Sequence, residues 1–139
     1  MRPGMGGSAI QRPLAVMMSR RILGVSVSAP VIEAARTMRD AKIGALLVSG
    51  EDGRYIGVLT ETDLVRKVLA AERDASRVLV SEVMTAPIIT IEIDRSAHDA
   101  SDLMAERAIR HLAVTEDGHI VGVLSVRDLL RYFKNWGTL

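Results

Sequence analysis

The stretches GVLTETDLV (residues 57–65) and GVLSVRDLL (residues 122–130) are two spellings of one pattern: a glycine, an apolar pair, a hydroxyl residue, two variable positions, an aspartate and another apolar pair. They lie 65 residues apart, Gly57 to Gly122, and the correspondence extends outward from them. Asp52-Gly53 matches Asp117-Gly118 at the same shift. Upstream of those turns the shift becomes 66, bringing Met18 to Met84, Ala34 to Ala100, Met38 to Met104, Ile43 to Ile109, Leu46 to Leu112 and Val48 to Val114. The first copy holds one extra residue where VSGEDG stands against VTEDG. A single slip inside a turn is the mark of an old duplication, and repeats decide the fold before local propensity does.

Each copy has the same sequence of elements. Val31, Ala34, Ala35 and Met38, then Ala97, Ala100, Ser101 and Met104, recur at helical spacing. Pro30 suits the first turn of its helix, where a missing N–H costs little. Short apolar runs at 45–48 and 55–59, and again at 112–114 and 120–124, flank Glu-Asp-Gly. Asp-Gly between such runs predicts a hairpin, because glycine accepts the positive φ that tight turns require. A second helix is expected from Asp63 or Asp128, with Leu64, Val65, Val68 and Leu69, or Leu129, Leu130 and Phe133, turned inward. The charged, Ala-rich stretch 70–77 reads as a helix end or linker. A repeat of some 60 residues is near the lower limit of independent folding. The strands are apolar on nearly every residue, so both sheet faces need cover. The expectation is an α+β pseudo-twofold sandwich, two tandem β-α-β-β-α repeats with helices outside and two equivalent clefts.

Composition narrows the function. Of 139 residues, 48% are hydrophobic and 25% charged, the balance of a folded globular chain. With 3% aromatics, the core must be built from Val, Leu, Ile, Ala and Met. A formal charge of +1 gives no argument for nucleic acid or an anionic membrane. No cysteine is present, which removes disulfides, thiolate metal sites and cysteine nucleophiles and fits a reducing compartment. Arg20 and Arg21 interrupt the longest apolar stretch, so no membrane span is expected. Residues 1–14 read as a flexible leader rather than a signal peptide, and the expected location is cytoplasmic.

The twin motif resembles the end of the cystathionine-beta-synthase (CBS) repeat, and IGALLVS (43–49) and IRHLAVT (109–115) resemble that repeat's second strand. The resemblance runs from about Ala15 to Phe133. It implies a CBS pair, with repeat 1 at 15–73, a linker at 74–78, and repeat 2 with a C-terminal helix at 79–139. It also implies a homodimer, a regulatory role that acts on a separate effector protein, and an adenine nucleotide (AMP, ADP, ATP or a related adenosyl compound) as ligand. By the same resemblance Thr60 and Asp63 would face Met84, Ile89, Arg110 and His111, while Ser125, Arg127 and Asp128 would face Leu23, Gly44 and Ala45. The sequence departs from the family at Leu47 and Ala113, where a proline is common, and Gly44 and Ala45 offer no polar side chain for a base.

The residues support such a site on their own chemistry. Thr60 and Ser125 stand at strand-to-helix junctions, where backbone N–H groups and the helix dipole favour a phosphate. Asp63 and Asp128 can accept hydrogen bonds from both hydroxyls of a ribose. Arg127 can hold a phosphate with two parallel bonds. Gly57 and Gly122 permit close backbone approach. A second reading stands beside this one: Ser/Thr-x-x-acid is also a helix cap that needs no ligand, and capping and ribose binding can coexist. Arg110 reads equally as a solvated charge at a strand edge, and His111 as a packed or surface histidine. No P-loop, dinucleotide glycine motif or nucleophile elbow is present. His98, His111 and His119 lack the spacing of a metal site. No enzyme is expected. Tyr132, Phe133 and Trp136 beside Arg131 and Lys134 suggest a dimer contact. The alternative to a nucleotide sensor is a structural dimerisation module with no ligand.

Overall fold

Val31, Ala34 and Met38 line the buried side of an 11-residue helix, and Ala97, Ala100 and Met104 do the same in its repeat. The structure is a computed structural model, and it describes residues 12–136. In chain order its elements are α1 (Pro13–Met17), β1 (Gly24–Ser26), α2 (Val31–Ala41), β2 (Ala45–Ser49), β3 (Tyr55–Thr60), α3 (Glu61–Leu64), a π-helical turn (Val65–Leu69), α4 (Val80–Val83), β4 (Thr90–Glu92), α5 (Ala97–Arg107), β5 (His111–Glu116), β6 (His119–Ser125) and α6 (Val126–Trp136). The strands form two three-stranded sheets, β1-β2-β3 and β4-β5-β6, each with a parallel first pair and an antiparallel hairpin.

The hairpins follow from their turns. Asp117 (φ 52°) and Gly118 (φ 80°) are both left-handed, as a two-residue turn of the mirror-image kind requires. The first copy's extra residue widens its turn: the Gly50 N–H donates to the Arg54 carbonyl at 2.8 Å, with Gly53 alone left-handed at φ 83°. A one-residue irregularity follows Val48 in β2 and Val114 in β5, so the inner register stays equivalent in the two hairpins. Ala45 pairs with Thr60, and His111 with Ser125. Leu46, Leu47 and Val48 are all buried, as are Leu112, Ala113 and Val114, in keeping with strands covered on both faces. Leu46, Leu59, Leu112 and Leu124 are fully buried, each stabilising the fold by about 1.5–3 kcal/mol.

Two compact bodies result. One is Leu23–Ile88; the other joins residues 12–22 to residues 89–136. Repeat and body are thus different partitions of the chain. In the first body, α4 follows the first repeat's helices and leads to Thr85, whose backbone pairs with Val58 of β3 through two bonds of 2.9 Å. In the second, α1 leads to Ser19, which pairs with Val123 of β6 in the same way. Leu14 and Met18 lie in the core formed by β4–β6, α5 and α6, while Val80 and Val83 lie in that of β1–β3 and α2.

Three expectations are corrected. The second helix of each repeat begins at Glu61 and Val126, two residues earlier than Asp63 and Asp128, because Thr60 and Ser125 cap it. Pro30 stands before the first turn of α2, as its N-cap, with Val31 the first helical residue. Of the residues expected to face inward, Val68, Leu129 and Phe133 are buried, but Val65, Leu69 (74% exposed) and Leu130 (59%) face outward. Neighbouring positions on a helix point about 100° apart, so the second member of each pair falls at the edge of the apolar stripe rather than along its middle.

Candidate functional site

The motif Ser/Thr-x-x-Asp becomes a reciprocal cap. In the first body the Asp63 N–H donates to Thr60 Oγ1 at 3.2 Å and the Thr60 N–H donates to Asp63 Oδ2 at 3.0 Å. In the second, the Asp128 N–H donates to Ser125 Oγ at 3.1 Å and the Ser125 N–H to Asp128 Oδ2 at 2.8 Å. The first helical N–H is also engaged: that of Glu61 donates to the Gly44 carbonyl at 3.0 Å, and that of Val126 to the Arg110 carbonyl at 2.9 Å. Fewer N–H groups are therefore open to an anion than the junction alone suggests.

A third copy of the motif, Ser96-x-x-Asp99, caps α5. It separates capping from anything further, because the three aspartates differ in what else they meet. Asp99 is paired with Arg95 at 3.0 Å, which together with Ser96 holds its carboxyl below the usual carboxylate range. Asp63 Oδ1 lies 3.0 Å from Lys67 Nζ, and Lys67 also donates to the Val83 carbonyl at 3.0 Å. Asp128 has no ion pair among the described residues, and its Oδ1 accepts no protein hydrogen bond there. Asp63 is 6% exposed, whereas Asp128 is half-buried. Arg127 is exposed and also without an ion pair among the described residues.

The remaining predicted residues gather at equivalent points of each body. Leu23 and Ile89, both half-buried, accept from the Leu47 and Ala113 N–H groups at 3.1 and 3.2 Å. Gly44 and Ala45 lie beside Thr60, and the Glu61 carboxylate lies over Gly44. Arg110, exposed, and His111, half-buried, lie beside Ser125. Met84 rests its sulfur against Gly57, and Met18 against Gly122. A Cβ on Gly57 would stand 2.8 Å from the Thr85 carbonyl oxygen, and one on Gly122 2.9 Å from that of Ser19. The backbone that needs these glycines is thus the chain's own, at Thr85 for Gly57 and at Ser19 for Gly122. Lys67 and Glu61 were missed by the sequence reading, although Asp63 and Lys67 stand at the i, i+4 spacing of a helical ion pair. The aromatic C-terminus is corrected in part. Phe133 is buried in its own body, 5.0 Å from the His98 ring, with Tyr132 edge-on at 5.6 Å. The Trp136 side chain lies outside the described residues.

Among the described residues no helix is long and apolar enough to cross a membrane, and no group of three or more His, Cys, Asp or Glu could hold a metal ion. Comparison with known proteins accords with the duplicated architecture. An uncharacterised protein of Methanopyrus kandleri is 32% identical over 113 residues, 81% of this chain but 58% of that one. The chain therefore spans little more than half of that relative. A crystal structure of an uncharacterised conserved protein from Pyrococcus horikoshii is 33% identical with a TM-score of 0.80, covering 87% of this chain and 91% of that one. The hexameric CBS-CP12 protein of bloom-forming cyanobacteria is 28% identical with a TM-score of 0.77, over 83% of this chain and 67% of that one. The CBS domain itself matches residues 14–70 and residues 80–135. With its two caps, two hairpins and two equivalent sheets, the chain belongs to the CBS domain family and carries the domain twice.

Proposed function

We propose that this CBS pair is a regulatory module that binds an adenine nucleotide (AMP, ADP or ATP) and passes the bound state to a separate protein or to its own assembly. The observation that carries the reading is Asp128: it caps α6 with Oδ2 and keeps Oδ1 clear of partners among the described residues, on the first turn of an 11-residue helix. A carboxylate oxygen held in this way suits a ribose hydroxyl, and the exposed Arg127 beside it suits a phosphate. CBS domains are commonly regulatory. Regulation follows if the ligand favours one of two arrangements of the module, since only differential affinity shifts an equilibrium.

The test is thermal unfolding of nucleotide-free protein with AMP, ADP, ATP, NAD or S-adenosylmethionine. A ligand at a hundred times its Kd should stabilise by about 2.7 kcal/mol, a shift of several degrees. Asp128→Asn should abolish the shift while keeping the cap, because its amide oxygen can still accept from Ser125. The absence of any shift would discard the nucleotide reading.

The exposed Val65, Leu69 and Leu130, and the apolar groove of Met104, Ile109, Leu129 and Phe133 between α5 and α6, favour a second reading. In it the chain is a dimerisation module that needs no ligand. A dimer whose dissociation constant is the same with and without every adenosyl compound would select it.

A further inference from the structure

The two motifs are alike in sequence and in cap geometry, yet among the described residues Asp128 keeps a carboxylate oxygen without a donor and Asp63 does not. Asp63 is occupied on both oxygens: Oδ2 by the Thr60 N–H at 3.0 Å and Oδ1 by the Lys67 ammonium at 3.0 Å. That ammonium is fixed from the other side by the Val83 carbonyl, also at 3.0 Å. Residues 65–69, which carry Lys67, form a π-helical turn. A wound-out turn of this kind is uncommon and often accompanies a functional position. The equivalent residue in the second repeat is Tyr132, and α6 runs through it as a regular helix. No cation replaces Lys67 there: Asp128 has no ion pair among the described residues. A ribose hydroxyl approaching Asp63 must compete with a charge-assisted bond on a residue that is 6% exposed, whereas one approaching Asp128 meets no such competitor among the described residues.

From this we infer that Lys67 acts as an internal plug: it closes the first motif to vicinal diols and leaves the second as the single ribose-reading position of the chain. The inference rests on the nucleotide reading above and adds which motif responds and what silences the other. Lys67 is a specificity-determining residue. Its ammonium takes the place that a sugar hydroxyl would fill, so removing it should convert one diol-binding position per chain into two.

Equilibrium dialysis of the full chain against AMP, ADP and ATP, with the tightest of them then compared with its 2′-deoxy form, decides the matter. Wild type should bind one equivalent, lost in Asp128→Asn. Lys67→Met, which keeps the aliphatic stem and leaves the Thr60–Asp63 cap intact, should bind a second equivalent. At that new position the 2′-deoxy form should bind about tenfold more weakly, since it lacks one hydroxyl for Asp63. Two equivalents in wild type, or one in Lys67→Met, would overturn the plug and leave the nucleotide reading standing. A second equivalent indifferent to the 2′-hydroxyl would overturn it too. No binding by any variant would overturn the nucleotide reading and the plug together.

Discussion

At the scale of single residues, Gly57 and Gly122 show why the motif leading into each cap starts with glycine. Neither has the positive φ that makes glycine obligatory in a turn, as Gly53 and Gly118 do. What they provide is clearance, because the carbonyls of Thr85 and Ser19 lie where a Cβ would stand. Backbone cannot swing aside as a side-chain tip can. Gly57→Ala and Gly122→Ala should therefore each cost about 1–3 kcal/mol, the range for forcing atoms into a packed site. Urea unfolding would show the loss as a lower midpoint. Gly24→Ala, which meets the Tyr55 ring at 3.0 Å before any backbone, should lose less. Asp63, Asp99 and Asp128 teach a related lesson. One spelling, Ser/Thr-x-x-Asp, gives one cap three times, and the residue four positions away from the aspartate decides the rest: Lys67 after Asp63, Arg95 before Asp99, Tyr132 after Asp128.

At the scale of elements, the caps make stability depend on acid. Glu82 caps α4 by accepting from the Leu79 N–H at 2.8 Å and pairs with Arg73 at 2.6 Å; those contacts, in that order, hold its carboxyl below the usual range. Asp99 is lowered by Arg95 first and Ser96 second. A carboxylate whose folded pKa is depressed protonates in the unfolded chain first. Its contribution is therefore complete above the unfolded value, near pH 4, and fades as pH falls through the folded one. Melting temperature should hold from pH 7 to about 5 and decline below about 4. In a Glu82→Gln, Asp99→Asn double variant the decline should be shallower, because amides can cap without titrating. An equal slope in both proteins would remove the caps from the acid response.

The hairpins and the two long first helices were legible in the sequence because Asp-Gly, strand-length apolar runs and i, i+3, i+4 spacing each have one local cause. Helices α1 and α4 were not, since five and four residues carry no periodicity to read. Nor was the π-helical turn, as no residue pattern in 65–69 distinguishes it from an ordinary helix. The candidate aspartates were legible as a pair. Their inequality was not, because it depends on where the Lys67 side chain goes and on the Val83 carbonyl, which comes from 16 residues further along the chain.

At the scale of the whole chain, each body is completed by a segment that the repeat boundary assigns elsewhere. Leu14, fully buried, belongs to the core of residues 89–136. Truncation of residues 1–22 should therefore loosen the far end of the chain: amides of β4–β6 should exchange faster, while those of β1–β3 keep their protection. Hydrogen exchange read by mass spectrometry would show it, and equal loss in both sheets would refute it. Leu14→Ala should reproduce the effect in milder form, at about 2–5 kcal/mol. The same crossing also sets an order of events on the ribosome. Residues 23–88 include every strand of their own sheet, so β1–β3 can pair before β4–β6 have been made. Residues 12–22, made earlier, must wait with Leu14 and Met18 uncovered until β6 has been synthesised. Residues 12–22 are thus made before the first sheet yet find their place after it, and for that interval they are what a chaperone would meet.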